Sequence, residues 1–227
     1  MHRIPLEPRE APLESPNTPR RSRLLLVALL CCAATASAAP SRTAPPVMRG
    51  SGKGLASTAK REMTLVYGDD HVFGVICPNG WVIDDTSGLG QRIRVVLYPK
   101  GQSWRTASTV MYVNPIHQNP KARRSLRQIV DQDIAGFRKA NPRGSVVEAP
   151  SVTSEKGKVA LVRTFAPAGG KPTEAVAYYE EDTLVQLLCL NARDAGEFER
   201  VFPLFRAFAA SYQYVGGGMQ TPTMGQH

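Results

Sequence analysis

The sequence predicts an α+β domain, an antiparallel β-sheet flanked by helices. Three observations predict it. Short apolar stretches with two-residue alternation fill most of the middle of the chain. Only two stretches, each opened by capping residues, keep helical spacing. The order is strands, helix, strands, helix, rather than the regular alternation of a parallel sheet.

The first strand is read over Val72 to Cys77, where Phe73, Val75 and Cys77 share one face and Val72, Gly74 and Ile76 the other. Pro78-Asn79-Gly80 supplies a turn, because proline fixes φ and Asn-Gly tolerates positive φ. Trp81-Val82-Ile83 resumes the extended run. Cys77 thus faces the core at a strand end, with no cation or helix start beside it in sequence to activate the thiol. Two more strands follow, with Ile93, Val95 and Leu97 on one side of the first and Thr109, Met111 and Val113 on one side of the second, in hairpin order around Pro99-Lys100-Gly101.

Ser125-Leu126-Arg127-Gln128 has the form of a capping box, so a helix starts there. Its stripe is Leu126, Ile129, Val130, Ile134 and Phe137, and Asn141-Pro142 ends it. The stretches VALVRTF, EAVAYYE and TLVQLLCLNA then read as an antiparallel meander. The last is apolar on both faces and belongs in the middle of the sheet. Asp194 caps a second helix with Phe198, Val201, Phe202, Phe205, Phe208 and Tyr212 buried, and Pro203 marks a break or a restarted first turn.

The chain ends lie outside this domain. Arg20, Arg21 and Arg23 lead into an apolar run that closes on Ala36-Ser37-Ala38, the pattern of a secretory signal peptide over residues 1–38. The run from Leu24 to Ala38 is too short to span a bilayer, which takes about 20 apolar residues. Residues 39–61 are rich in Pro, Gly, Ser and Ala and read as a disordered linker; the domain is expected over 62–215, with a disordered tail over 216–227. GSGKG within the linker is not a phosphate loop, because Val47 and Gly54 stand where that motif needs Gly and Ser or Thr.

The net charge is +9, from 28 basic and 19 acidic residues. Residues 1–38 hold five Arg and three Glu, so their removal leaves 23 against 16, or +7. In an exported protein that excess suits an anionic envelope component or an acidic protein rather than nucleic acid. Lys121, Arg123, Arg124 and Arg127 form the one local concentration, read either as a solvated face or as a basic binding patch.

Catalytic and metal-ligating patterns are sparse. His71 and His117 are the two histidines of the core region, and neither has metal-ligand spacing. Asp69-Asp70-His71 joins carboxylates to an imidazole, but neighbours in an extended segment point to opposite faces, so a solvated turn is expected there. Neither a metal nor a cofactor is expected. Signal cleavage would leave two cysteines, Cys77 and Cys189, which form either a disulfide or two separate buried thiols.

FGVICPNGW, SLRQIVDQDIAGFRKANP, EAVAYYEEDTLVQLLCLNA and FERVFPLFRAFAASY, in that order over about residues 63–214, resemble the PsbP-like family. That family is named for an extrinsic lumenal protein of photosystem II. Its fold is shared with a yeast nuclear import factor that binds the Ran GTPase and with small exported bacterial proteins. The resemblance implies an antiparallel sheet flanked by helices and binding to other proteins rather than catalysis, and it brings no catalytic residues. The expected function is a non-catalytic, periplasmic or secreted binding or assembly module acting on an envelope protein. The alternative is a small hydrolase or metal-dependent enzyme whose site is assembled only in three dimensions, from His71 or His117 with carboxylates of distant strands.

Overall fold

The computed structural model describes residues 62–217 apart from 69 and 92. The expected signal peptide, the linker and residues 218–227 of the expected tail lie outside the described residues. Strands β1 (Met63–Tyr67), β2 (His71–Ile76) and β10 (Gln213–Gly217) form a three-stranded sheet in the order β1-β2-β10. A seven-stranded sheet takes β3 (Trp81–Asp84), β4 (Val95–Pro99), β5 (Thr109–His117), β6 (Ser145–Thr153), β7 (Val159–Ala166), β8 (Glu174–Glu180) and β9 (Leu184–Ala192). Its order is β3-β4-β5-β9-β8-β7-β6, and every pairing in both sheets is antiparallel. Helices α1 (Leu126–Ala140) and α2 (Ala195–Ala210) complete the α+β architecture.

The turn after Cys77 does not make a hairpin. The Trp81 amide donates to the Pro78 carbonyl at 3.1 Å, and Gly80 takes φ +80°, a conformation that glycine alone adopts freely. The turn passes the chain from the small sheet to the edge of the large one. By contrast β7, β8 and β9 form the expected meander, and β9 lies fourth of seven strands. Its two apolar faces serve two cores. Leu188 and Leu190 pack with Phe73, Val75, Trp81, Tyr179, Phe205 and Tyr212 between the large sheet, α2 and the small sheet. Val185, Leu187 and Cys189 pack on the opposite face with Ile129, Val130 and Phe137 of α1. Each fully buried leucine stabilises the fold by about 1.5–3 kcal/mol.

Both helix starts match their sequence signals. Ser125 Oγ accepts from the Gln128 amide at 3.2 Å, and Gln128 Oε1 accepts from the Ser125 amide at 2.8 Å. Asp194 Oδ1 accepts from the Glu197 amide at 2.9 Å. Pro203 neither breaks nor restarts α2, contrary to expectation; it lies inside the helix on its exposed side. The carbonyl that its missing N–H frees can face water there.

Three strands carry no sequence signal: β1, β6 and β10. All are edge strands. The edge strand β6 has mostly exposed residues and a register shift between Ala149 and Val152, around Pro150. Apolar side chains on the exposed face, Leu65 and Tyr67 of β1, Val147 of β6 and Val215 of β10, blur the apolar-polar alternation by which a half-buried strand is read.

Candidate functional site

The first residue of β2 and the last of β5 meet where the small sheet lies against the large one. The His71 and His117 rings stand edge to face with centroids 5.7 Å apart. The Asp70 carboxylate joins them: Oδ1 is 3.0 Å from His71 Nδ1, and Oδ2 is 3.3 Å from His117 Nδ1. One ligand atom from each of the three residues lies within 4.8 Å of the other two. The His71 side chain is 1% exposed, against 46% for His117 and 53% for Asp70, so the cluster has a buried inner wall and an open mouth.

Asp70 lies in the exposed bend expected before β2, but the expectation that its side chain and that of His71 point apart is overturned. Asp70 precedes β2 and sits in a bend, so strand alternation does not apply to the Asp70-His71 pair. Asp69 lies outside the described residues. The enzymatic alternative places carboxylates of distant strands beside the histidines, whereas the carboxylate that joins His71 and His117 is the chain neighbour of one of them.

The surroundings hold His71 in place. Its ring stacks on Phe73 at 5.8 Å, and its carbonyl accepts from the Gly68 amide at 2.8 Å. A Cβ at Gly68 would stand 2.4 Å from His71 Cε1, so any other residue there displaces the ring. On the other strand, the Gln118 amide donates to the Thr183 carbonyl at 2.8 Å, anchoring the chain just past His117. Burial tends to raise the Asp70 pKa, but the hydrogen bond from His71 and the charge of His117 outweigh it and hold the carboxyl below its ordinary value.

The interior next to His71 is unusually polar. His71 Nε2 and both amide atoms of Gln186 are buried and lack a hydrogen-bond partner. The buried Tyr212 hydroxyl faces the Glu181 carboxylate, and burial, followed by that carboxylate, raises its pKa. Gln186 on β9 lies directly between Pro115 and Tyr179 of the neighbouring strands. Tyr179 stacks on Tyr212 at 4.7 Å, and Tyr212 packs against Phe73 at 6.0 Å. Glu181 also binds the Lys158 ammonium at 2.5 Å. Buried polar atoms are satisfied by protein or ordered water in almost every case, so such a group marks where water or a ligand belongs.

The other sequence-predicted residues are dispersed. Arg123 reaches Glu180 Oε1 at 3.3 Å and the Glu181 carbonyl at 2.9 Å, while Arg124 turns along α1 to Gln132. Lys121 and Arg127 are exposed. Cys77 and Cys189 are free thiols. Cys77 packs beside the core under α2 and Cys189 lies in the core under α1, on opposite faces of the large sheet.

A second ionisable group of residues gathers under α1. The Tyr178 hydroxyl donates to Asp133, burial raises the Asp133 pKa against the pull of that bond, and burial with the Asp133 charge pushes Glu174 up to about 7. Burial first, and these carboxylates second, raise the Cys189 thiol well above its ordinary value. The sequence carried a signal for Asp133: it sits four residues after Ile129 and four before Phe137, on the buried stripe of α1.

No protein-family model and no curated protein matches the chain. Among solved structures it is similar to the solution structure of cyanobacterial PsbP (CyanoP) from Synechocystis sp. PCC 6803, at 14% identity and a TM-score of 0.46, over 73% of this chain and 99% of that one. It is also similar to a protein from Bacteroides thetaiotaomicron VPI-5482 at 12% identity and a TM-score of 0.31, over 66% of this chain and 47% of that one. Among the described residues no helix is long and apolar enough to cross a membrane.

Proposed function

We propose that the protein is an exported, non-catalytic binding module that docks on an envelope protein through the small sheet. The observation that carries this reading is the apolar exposure on both of that sheet's edge strands: Leu65 and Tyr67 of β1 are 48% and 65% exposed, and Val215 of β10 is 51% exposed. Leu65 lies opposite Gly74, and the Met63 and Leu65 side chains fill the space over that glycine, so β1 covers β2 with apolar side chains there. An edge strand flanked by exposed apolar groups is a template for a partner's strand or apolar surface. Export rests on the arginines and apolar run that end at Ala38, and intact-mass analysis of the exported form tests it: a chain starting at Ala39 supports it, and one starting at Met1 defeats it.

The docking reading is tested by crosslinking in the native envelope. A Leu65→Lys/Tyr67→Lys variant, altered only at exposed side chains, is expected to lose the envelope protein that the parent chain captures. Equal capture by parent and variant would remove the small sheet as the docking surface.

A further inference from the structure

We propose that Asp70, His71 and His117 form a binding site for a borderline divalent cation, Zn2+, closed on its inner side by the His71 ring and open to solvent at His117 and Asp70. Two imidazoles and one carboxylate are the donor types that such ions prefer over Mg2+ or Ca2+, which take all-oxygen shells. Zinc bonds to N and O of about 2.0–2.2 Å place tetrahedral ligands about 3.3–3.5 Å apart. His71 Nδ1 lies 3.0 Å from Asp70 Oδ1 and His117 Nδ1 lies 3.3 Å from Asp70 Oδ2, each near that edge length but on different oxygens, so the exposed carboxylate turns to present one oxygen to the ion. The 4.8 Å limit on the remaining ligand pair closes by a small swing of the exposed His117 ring at the end of β5. Three protein ligands leave a fourth position for water or for a donor from a bound partner.

The buried, unpartnered Nε2 of His71 supports the ion independently of spacing. Each Nδ1 faces a carboxylate oxygen, and each contact is attractive only with a proton or a cation on it. A proton on His71 Nδ1 leaves Nε2 as an acceptor, yet that atom is buried without a partner. An ion on Nδ1 moves the proton to Nε2 and makes it a donor. Gln186 Oε1 is a buried acceptor without a partner, on the residue that pairs with Pro115 two positions before His117, and a buried water can link the His71 N–H to it. A ligating histidine needs such a partner for its second nitrogen. Gly68 and the Phe73 stack fix the ring before any ion arrives, which lowers the ordering cost of binding.

Isothermal titration of the full-length, untagged and chelator-stripped chain with Zn2+ at neutral pH tests the site, together with His117→Ala and Asp70→Asn. Both substitutions are at well-exposed side chains, and His117→Gln replaces the first if the alanine variant fails to fold. The parent chain is expected to bind one Zn2+ in the low micromolar range, and each variant to bind at least about tenfold more weakly. On titration of the parent, the imidazole resonances of His71 and His117 should shift, while those of His2 and His227 stay in place. No binding to the parent, or unchanged affinity in either variant, overturns the proposal. Neither outcome bears on docking through Leu65, Tyr67 and Val215, which are not ligands; His71 belongs to the same small sheet but is buried.

Discussion

The Tyr178 hydroxyl donates to Oδ2 of Asp133 across the interface between β8 and α1, and both residues are buried. This single bond joins the helix to the sheet at the one charged position of its apolar stripe. Phenylalanine at 178 would leave the carboxyl buried without its donor, a change that costs about 1–3 kcal/mol. Tyr178→Phe should therefore lower the urea midpoint, and adding Asp133→Leu should restore part of the loss by removing the orphaned group. A Tyr178→Phe variant as stable as the parent would show that Asp133 has another partner.

Glu174 gives the domain a pH dependence of defined sign. Burial, followed by the Asp133 charge, raises its pKa from 4.5 to about 7. The folded state thus holds this proton more tightly than the unfolded one, so the contribution is full below about pH 4.5 and lost as pH rises through 7. By linkage the loss is on the order of 3 kcal/mol at most. Glu174→Gln should flatten the stability profile over that window and leave the variant more stable than the parent at pH 8. Identical profiles for parent and variant would place the titration elsewhere.

Phe73, Trp81 and Phe205 are 1%, 7% and 0% exposed and line one core between the large sheet, α2 and the small sheet. Alanine at any of them should cost about 3–5 kcal/mol. Phe205 and Phe73 reach this core from different elements, so their effects should not add fully where the two cavities merge. Denaturant midpoints within the scatter of surface variants would contradict this packing.

What could be read from the sequence follows from which forces act locally. The capping box at Ser125 and the cap at Asp194 are satisfied within one turn, and their residues announce them. β9 is legible because a strand covered on both faces is apolar on both. The edge strands β1, β6 and β10 are not, because they carry apolar residues such as Leu65, Tyr67, Val147 and Val215 on the exposed face, where alternation needs polar ones. The contact of His71 with His117 depends on how two sheets meet across 46 positions of chain, and no local pattern encodes that. The alternation rule also misleads at Asp70, since it holds only inside a strand and β2 starts one residue later.

The two core-region cysteines give the last prediction. Cys77 follows β2 and packs toward the α2 side of the large sheet, whereas Cys189 points to the α1 side, so the sheet itself separates the two thiols. A disulfide requires Cα atoms within roughly 4.4–6.8 Å and side chains aimed at each other. Peptide mapping of the unreduced, denatured and alkylated chain should find both cysteines labelled, and a crosslinked Cys77–Cys189 peptide pair would contradict the layering. In the native protein both thiols should react slowly at neutral pH. Burial raises the Cys77 pKa, with Lys100 pulling the other way, and it raises that of Cys189 further. Because the thiolate is the nucleophile, Cys77 should be alkylated more slowly than a small free thiol, and Cys189 only on unfolding. Rapid labelling of native Cys77 at pH 7 would show an activated thiol and reopen the enzymatic reading.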